Sequence, residues 1–122
     1  MPQNKRTSVQ TFLKGFQYAF QGMRLLVRER NMKFHMFAAL LVIIAAWYFH
    51  LTVVEWTVIL LCIGLVVSIE ALNTAVEYLC DYIQPEHDAK IGSVKDIAAA
   101  AVFIAAVISA IVGLIIFLPK II

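Results

Sequence analysis

The chain has 122 residues, 62% of them hydrophobic and 15% charged, with a formal net charge of +2. A soluble domain carries about a quarter charged residues, so an ordinary soluble globule is excluded and a small integral membrane protein with no nucleic acid partner is expected. No Pro-, Gly- or Ser-rich linker and no internal repeat divides the chain, so residues 1–122 are expected to form a single membrane-embedded domain.

The N-terminal segment is the most basic part. Lys5, Arg6, Lys14, Arg24, Arg28, Arg30 and Lys33 face the lone acid Glu29, which by the positive-inside rule predicts a cytoplasmic location. The segment has no uninterrupted apolar core, so no cleavable signal is expected. Within it Val9, Phe12, Leu13, Phe16, Phe20, Met23 and Val27 recur at steps of three and four, with Gln10, Thr11, Lys14, Gln17, Gln21, Arg24 and Arg28 opposite. This pattern predicts an amphipathic helix lying in the membrane interface.

From Phe34 to Leu51 the run is apolar except for His35 and His50, which predicts a first transmembrane helix. Both histidines are expected as amphipathic rings at the membrane boundary. A turn is expected over Leu51 to Val54, and a second helix from Glu55 to about Ile83, too long for one perpendicular span. Its last turns should project into the cytoplasm. Cys62 and Cys80 on this helix would lie about 27 Å apart, so they are expected as free thiols.

Gln84 to Ser93 reads as a loop, with Pro85 breaking the helix and Gly92 allowing a turn. Ser93 is the expected N-cap of a third span over Val94 to Leu118, where Ala98-Ala99-Ala100-Ala101 suggests close helix contact. Three spans place the C-terminus outside. Nine of the ten basic residues then fall on the cytoplasmic side, with Lys120 alone outside.

The chemistry concentrates in Glu70-Ala71-Leu72-Asn73-Thr74-Ala75-Val76-Glu77. An ionised carboxylate within a bilayer costs about 3 kcal/mol or more, and such residues mark functional sites. At 100° per residue, Asn73, Glu77 and Asp81 lie roughly −60°, −20° and +20° from Glu70, so all four share one face, with Thr74 about 40° away. Glu70, deeper in the span, is suited to take a proton from an alcohol, and Glu77, nearer water, to hold a hard cation such as Mg²⁺. Helix association alone would not call for two carboxylates.

Glu29 and the loop groups Glu86, His87, Asp88, Lys90, Lys95 and Asp96 converge on the same rim. Lys95 and Asp96 are expected to open the third helix, whose N-terminal amides favour phosphate. Neither a Walker loop nor a protein-kinase signature set is present, so any nucleotide site must be of another kind.

The octapeptide, Asp81 and Lys95-Asp96-Ile97-Ala98-Ala99-Ala100 together resemble the prokaryotic diacylglycerol kinase family over nearly the whole length. Glu29-Arg30-Asn31-Met32-Lys33-Phe34-His35, Glu55-Trp56 and Gly113-Leu114-Ile115-Ile116-Phe117-Leu118-Pro119-Lys120 are similar to its Gram-positive undecaprenol kinase branch. The resemblance implies an all-α homotrimeric bundle in a bacterial cell membrane that phosphorylates a lipid alcohol from ATP. By that resemblance Glu70 would be the general base and Asn73 would orient it or the hydroxyl. Glu29 and Glu77 would hold Mg²⁺, Lys95 would neutralise phosphate charge, Tyr18, Glu86 and Asp96 would help hold the nucleotide, and Asp81 would support the site. Undecaprenol is the expected substrate, with diacylglycerol the close alternative. A small ion or proton channel, or a structural subunit, would be the readings of a different class.

Overall fold

A computed structural model describes residues 7–122, and among them the regular structure is entirely helical: α1 (Ser8–Leu26), α2 (Arg30–Tyr48), α3 (Val53–Ile83) and α4 (Ala89–Ile121). Lys5 and Arg6 lie outside the described residues. Helices α2, α3 and α4 are each long and apolar enough to cross a membrane. With 31 and 33 residues, α3 and α4 reach about 46 and 50 Å, well beyond a hydrocarbon core of about 30 Å.

Local chemistry sets the helix starts. Thr7 caps α1 and Thr52 caps α3, each in a reciprocal capping box with the residue three positions on, Gln10 and Glu55. The Thr52 cap starts α3 two residues before the expected Glu55. Asp88 caps α4 by accepting from the backbone N–H groups of Lys90 and Ile91. This corrects the expected Ser93 cap on a third span starting at Val94. Asp88 supplies a cap five residues earlier, and Gly92, whose N–H donates to the Asp88 carbonyl, is a helical residue rather than a turn. Ser93 sits inside α4, its hydroxyl donating to the Ala89 carbonyl. The loop shrinks to residues 84–88, and Lys95 and Asp96 lie beyond the first turn of α4 rather than opening it.

The α2–α3 connection is a tight reversal. His50 has φ 53°, its N–H donates to the Trp47 carbonyl, and the Leu51 N–H donates to the Ala46 carbonyl. That is a Schellman ending, and its accompanying apolar contact is visible in Ala46 and Leu51, which form a buried cluster with Ile59. A histidine pays a steric penalty in the left-handed region that glycine avoids. Because the His50 side chain is exposed, His50→Gly is expected to raise stability by about 0.5–1 kcal/mol, net of the larger entropy of the unfolded glycine chain. A thermal unfolding midpoint in detergent micelles that fell below wild type would contradict this.

Around that cluster gather Val42, Phe49, Trp56, Ile63, Ile116 and Phe117, so the C-terminal ends of α2 and α4 meet the start of α3. The Phe49 and Phe117 rings stand edge-to-face at 6.1 Å, and Lys120 pairs with Glu55 at 3.1 Å. The most extensive helix contact is α3 with α4, followed by α2 with α3. Helix α1 buries none of its residues, and its apolar positions Phe12, Phe16 and Phe20 are exposed, as an interfacial helix requires. The apolar anchor at one end leaves the polar residues of α3 at the other, beside the start of α2 and the α3–α4 loop.

Candidate active site

The polar stripe of α3 turns inward. Glu70, Asn73 and Thr74 are the buried polar residues among those described, Glu70 at 2% exposure. They are fixed by short-range bonds along the helix: the Thr74 hydroxyl donates to the Glu70 carbonyl at 3.0 Å, and the Asn73 amide donates to Glu77 Oε1 at 3.1 Å. A side-chain amide that spends its donor on Glu77 keeps its oxygen available. Asn73 Oδ1 is indeed buried without a hydrogen-bond partner, as is Glu70 Oε1. Buried polar atoms are paired in the great majority of cases, so two unpaired oxygens on one helix face leave acceptor capacity that the chain itself does not fill.

Other helices complete the site. Glu29 occupies the N-cap position of α2 without capping it, and its carboxylate accepts instead from the Tyr78 hydroxyl of α3. Glu29 and Glu77 both act electrostatically on Glu70, so three carboxylates share one neighbourhood. His35, on the second turn of α2, brings Nε2 to 3.5 Å from Glu70 Oε2. Its expected place as a boundary ring is thus corrected: the rotation of α2 that exposes Phe34 turns His35 toward α3.

Toward the loop, Lys95 reaches back from α4 to pair with Asp81 of α3 and lies in electrostatic range of Glu77. Lys95 also lines an open groove of about 290 Å³ with Gln84, Pro85, Glu86, His87, Asp88, Ile91 and Gly92. Lys95 thus borders the groove on one side and Asp81 and Glu77 on the other. Asp88 has already taken the Lys90 and Ile91 amides as its own partners, which replaces the expected anion site at amides beside Lys95.

Of the sequence-derived residues, Glu70, Asn73, Glu77 and Glu29 come together, Lys95 pairs with Asp81 within electrostatic range of Glu77, and Lys95 and Glu86 line the groove. Asp96 lies exposed on α4 outside the groove lining, and Tyr18 is exposed on α1. His35 and Tyr78 are the residues the stripe did not reveal. Tyr78 lies about 80° from Glu70 around α3, and its pairing with Glu29 arises between helices. The visible signal for His35 was an imidazole within an apolar run.

The oxygen donors suit a hard cation. No cluster of three His, Cys, Asp or Glu ligands exists among the described residues. Glu29, Glu77 and the unpaired Asn73 Oδ1 offer oxygens of the type Mg²⁺ takes when phosphates supply most of its shell.

The sequence profile of the family described as prokaryotic diacylglycerol kinase matches residues 17–117. An undecaprenol kinase from Bacillus subtilis is 44% identical over 94% of this chain and 94% of its own length. A diacylglycerol kinase from Synechocystis is 40% identical over 88% of this chain, which spans 62% of that protein, and one from Escherichia coli is 28% identical over 88% and 89%. With a profile match across the three spans and a near full-length relative at this identity, the chain belongs to the prokaryotic diacylglycerol kinase family.

Proposed function

We propose that this protein transfers the γ-phosphoryl group of ATP to the hydroxyl of a membrane lipid alcohol, with undecaprenol as the preferred acceptor. The observation that carries the reading is Glu70: a carboxylate buried within an apolar helix, with Oε1 unpaired and facing no protein donor. A buried oxygen of this kind is suited to receive a hydroxyl proton. As the lipid O–H bond breaks, its proton passes to Glu70 Oε1, the oxygen's electron pair bonds to phosphorus, and ADP departs. The products are the lipid phosphate, ADP and a proton.

The remaining residues position and neutralise. Glu29, Glu77 and Asn73 Oδ1 would hold Mg²⁺, which supplies charge neutralisation across the nucleotide phosphates when bound. Lys95 approaches from the groove side and offsets negative charge on the transferring group, the main demand of phosphoryl transfer. Glu86 and the groove would receive the nucleotide, with Asp96 and Tyr18 further out. Asp81 holds Lys95 near the α3 stripe.

The assembly we favour is a homotrimer. The isolated chain exposes 9648 Å², against about 6,600 Å² for a compact monomer of its mass, and lipid and neighbouring copies would cover the difference. The basic residues beside the site and Lys120 at the opposite end support a cytoplasmic site and N-terminus with an external C-terminus.

Undecaprenol is favoured because the B. subtilis relative bears that activity, and diacylglycerol is the second reading because other relatives bear that one. Transfer of labelled γ-phosphate from ATP to a panel of undecaprenol, diacylglycerol and a water-soluble alcohol tests both. The expected result is a kcat/KM for undecaprenol at least about tenfold above diacylglycerol. The reverse ratio would assign diacylglycerol, and transfer to none of them would end the lipid kinase reading.

A further inference from the structure

The two oxygens of Glu70 are not equivalent. Oε2 faces the imidazole Nε2 of His35 at 3.5 Å, while Oε1 is buried with no partner. The two side chains come from different spans, α2 and α3, and are 16% and 3% exposed, so their separation is set by helix packing rather than by flexible surface groups. The Phe34 ring stands edge-to-face against the imidazole, with centroids 5.7 Å apart. Glu29 and Glu77 act on Glu70 with negative charge and supply it with no proton donor.

A carboxylate is free to rotate about its last torsion, which is broad and two-fold, so an unanchored base presents either oxygen to a substrate. An imidazole N–H on one oxygen removes that freedom. The Nε2-protonated tautomer is the form that donates toward Oε2, because an unprotonated nitrogen would set two lone pairs against each other. At 3.5 Å the contact exceeds a hydrogen-bond length, and catalytic hydrogen bonds are commonly long before substrates bind and shorten in the reactive complex.

We propose that His35 is a positioning residue for phosphoryl transfer: its Nε2–H donates to Glu70 Oε2 and thereby commits Oε1 to the lipid hydroxyl. This rests on the reading of Glu70 as the base. The proton taken from the hydroxyl stays on Oε1 during the transfer while Oε2 keeps its imidazole donor, so no proton is asked of His35. The orientation gained is of the kind that converts a loosely placed base into one aligned with the reacting bond. Simple joining of α2 to α3 by the same contact would affect stability and leave turnover of folded protein unchanged.

The test uses full-length protein in lipid nanodiscs, with labelled ATP and undecaprenol, and compares His35→Phe, His35→Gln and Glu70→Gln. Phe fills the space without a donor, whereas the Gln amide nitrogen can occupy the place of Nε2. His35→Phe is expected to lower kcat about 10–100-fold, the range seen when a supporting hydrogen-bond partner is lost, with both KM values within about twofold of wild type. His35→Gln should recover most of that loss, and His35→Phe should add nothing in a Glu70→Gln background. Wild-type kcat in His35→Phe with an inactive Glu70→Gln overturns the positioning role and leaves the base assignment standing. An active Glu70→Gln instead overturns the base reading itself. If His35→Phe unfolds, His35→Leu takes its place: a kcat lowered 10–100-fold that His35→Gln largely recovers supports the proposal, and wild-type kcat in folded His35→Leu rejects it.

Discussion

Glu70→Gln is expected to reduce kcat by about 10²–10⁴-fold, the usual worth of a positioned general base, while Mg-ATP binding and helical content stay at wild-type levels. The substitution keeps shape and volume and removes only the ability to accept the proton. Because Glu70 lies at 2% exposure within a membrane-spanning helix, removing its charge relieves desolvation rather than creating a cavity. The variant should therefore melt at or above the wild-type temperature. That pairing of lost turnover with retained or improved stability separates a catalytic role from a structural one. A buried ion-pair role with His35 would instead predict marked destabilisation on loss of one partner. Single-turnover transfer measured beside thermal unfolding decides between them. Near-wild-type turnover would eliminate Glu70 as the base.

The reason a carboxylate can be kept there lies in the architecture. The apolar cluster of Ala46, Leu51 and Ile59, with the Lys120–Glu55 pair beside it, ties the three spans together at the end away from Glu70. Packing energy is concentrated where no chemistry is needed. The other end carries unpaired oxygens on Glu70 and Asn73 and an open groove, features that would weaken a region relied on for folding.

Much of the design was legible along single helices. The Glu70, Asn73, Glu77 face follows from a period of 3.6 residues, and burial of Glu70 and Asn73 with the Asn73–Glu77 hydrogen bond is its direct result. The three spans follow from apolar length. The start of α4 lies earlier than Gly92 as a turn residue and Ser93 as a cap suggest, because Asp88 offers a carboxylate cap and Gly92 is tolerated within a helix. Contacts between helices were not legible. Tyr78 with Glu29 and His35 with Glu70 depend on how α2 is rotated against α3, and no local rule sets that rotation for a helix apolar on nearly all sides.

Lys95→Met is expected to lower kcat by about 10²–10³-fold, comparable to the loss of one charge-stabilising donor in a preorganised site. Lys95 links the groove to the carboxylates: it lines the groove, pairs with Asp81, and acts electrostatically with Glu77. With Glu29 and Glu77 already beside Glu70, an incoming polyphosphate meets strong like-charge repulsion unless a cation is present on the approach side. Met preserves the aliphatic stem, so the loss reports charge and donation rather than packing. Lys95 and Asp81 are both substantially exposed, and their pairing should add little to folding, leaving the unfolding midpoint of Lys95→Met unchanged. Lys95→Arg tests geometry at constant charge: a planar fork in place of a compact ammonium should recover only part of the rate. Asp81→Asn supplies the complementary measurement. It leaves Lys95 cationic but unpaired, so kcat should fall less than in Lys95→Met, and any rise in the KM for ATP reports lost positioning. If Lys95→Met retained full kcat at saturating Mg-ATP, the lysine would serve nucleotide capture alone, and neutralisation of the transferring phosphoryl would rest on the cation held by Glu29 and Glu77.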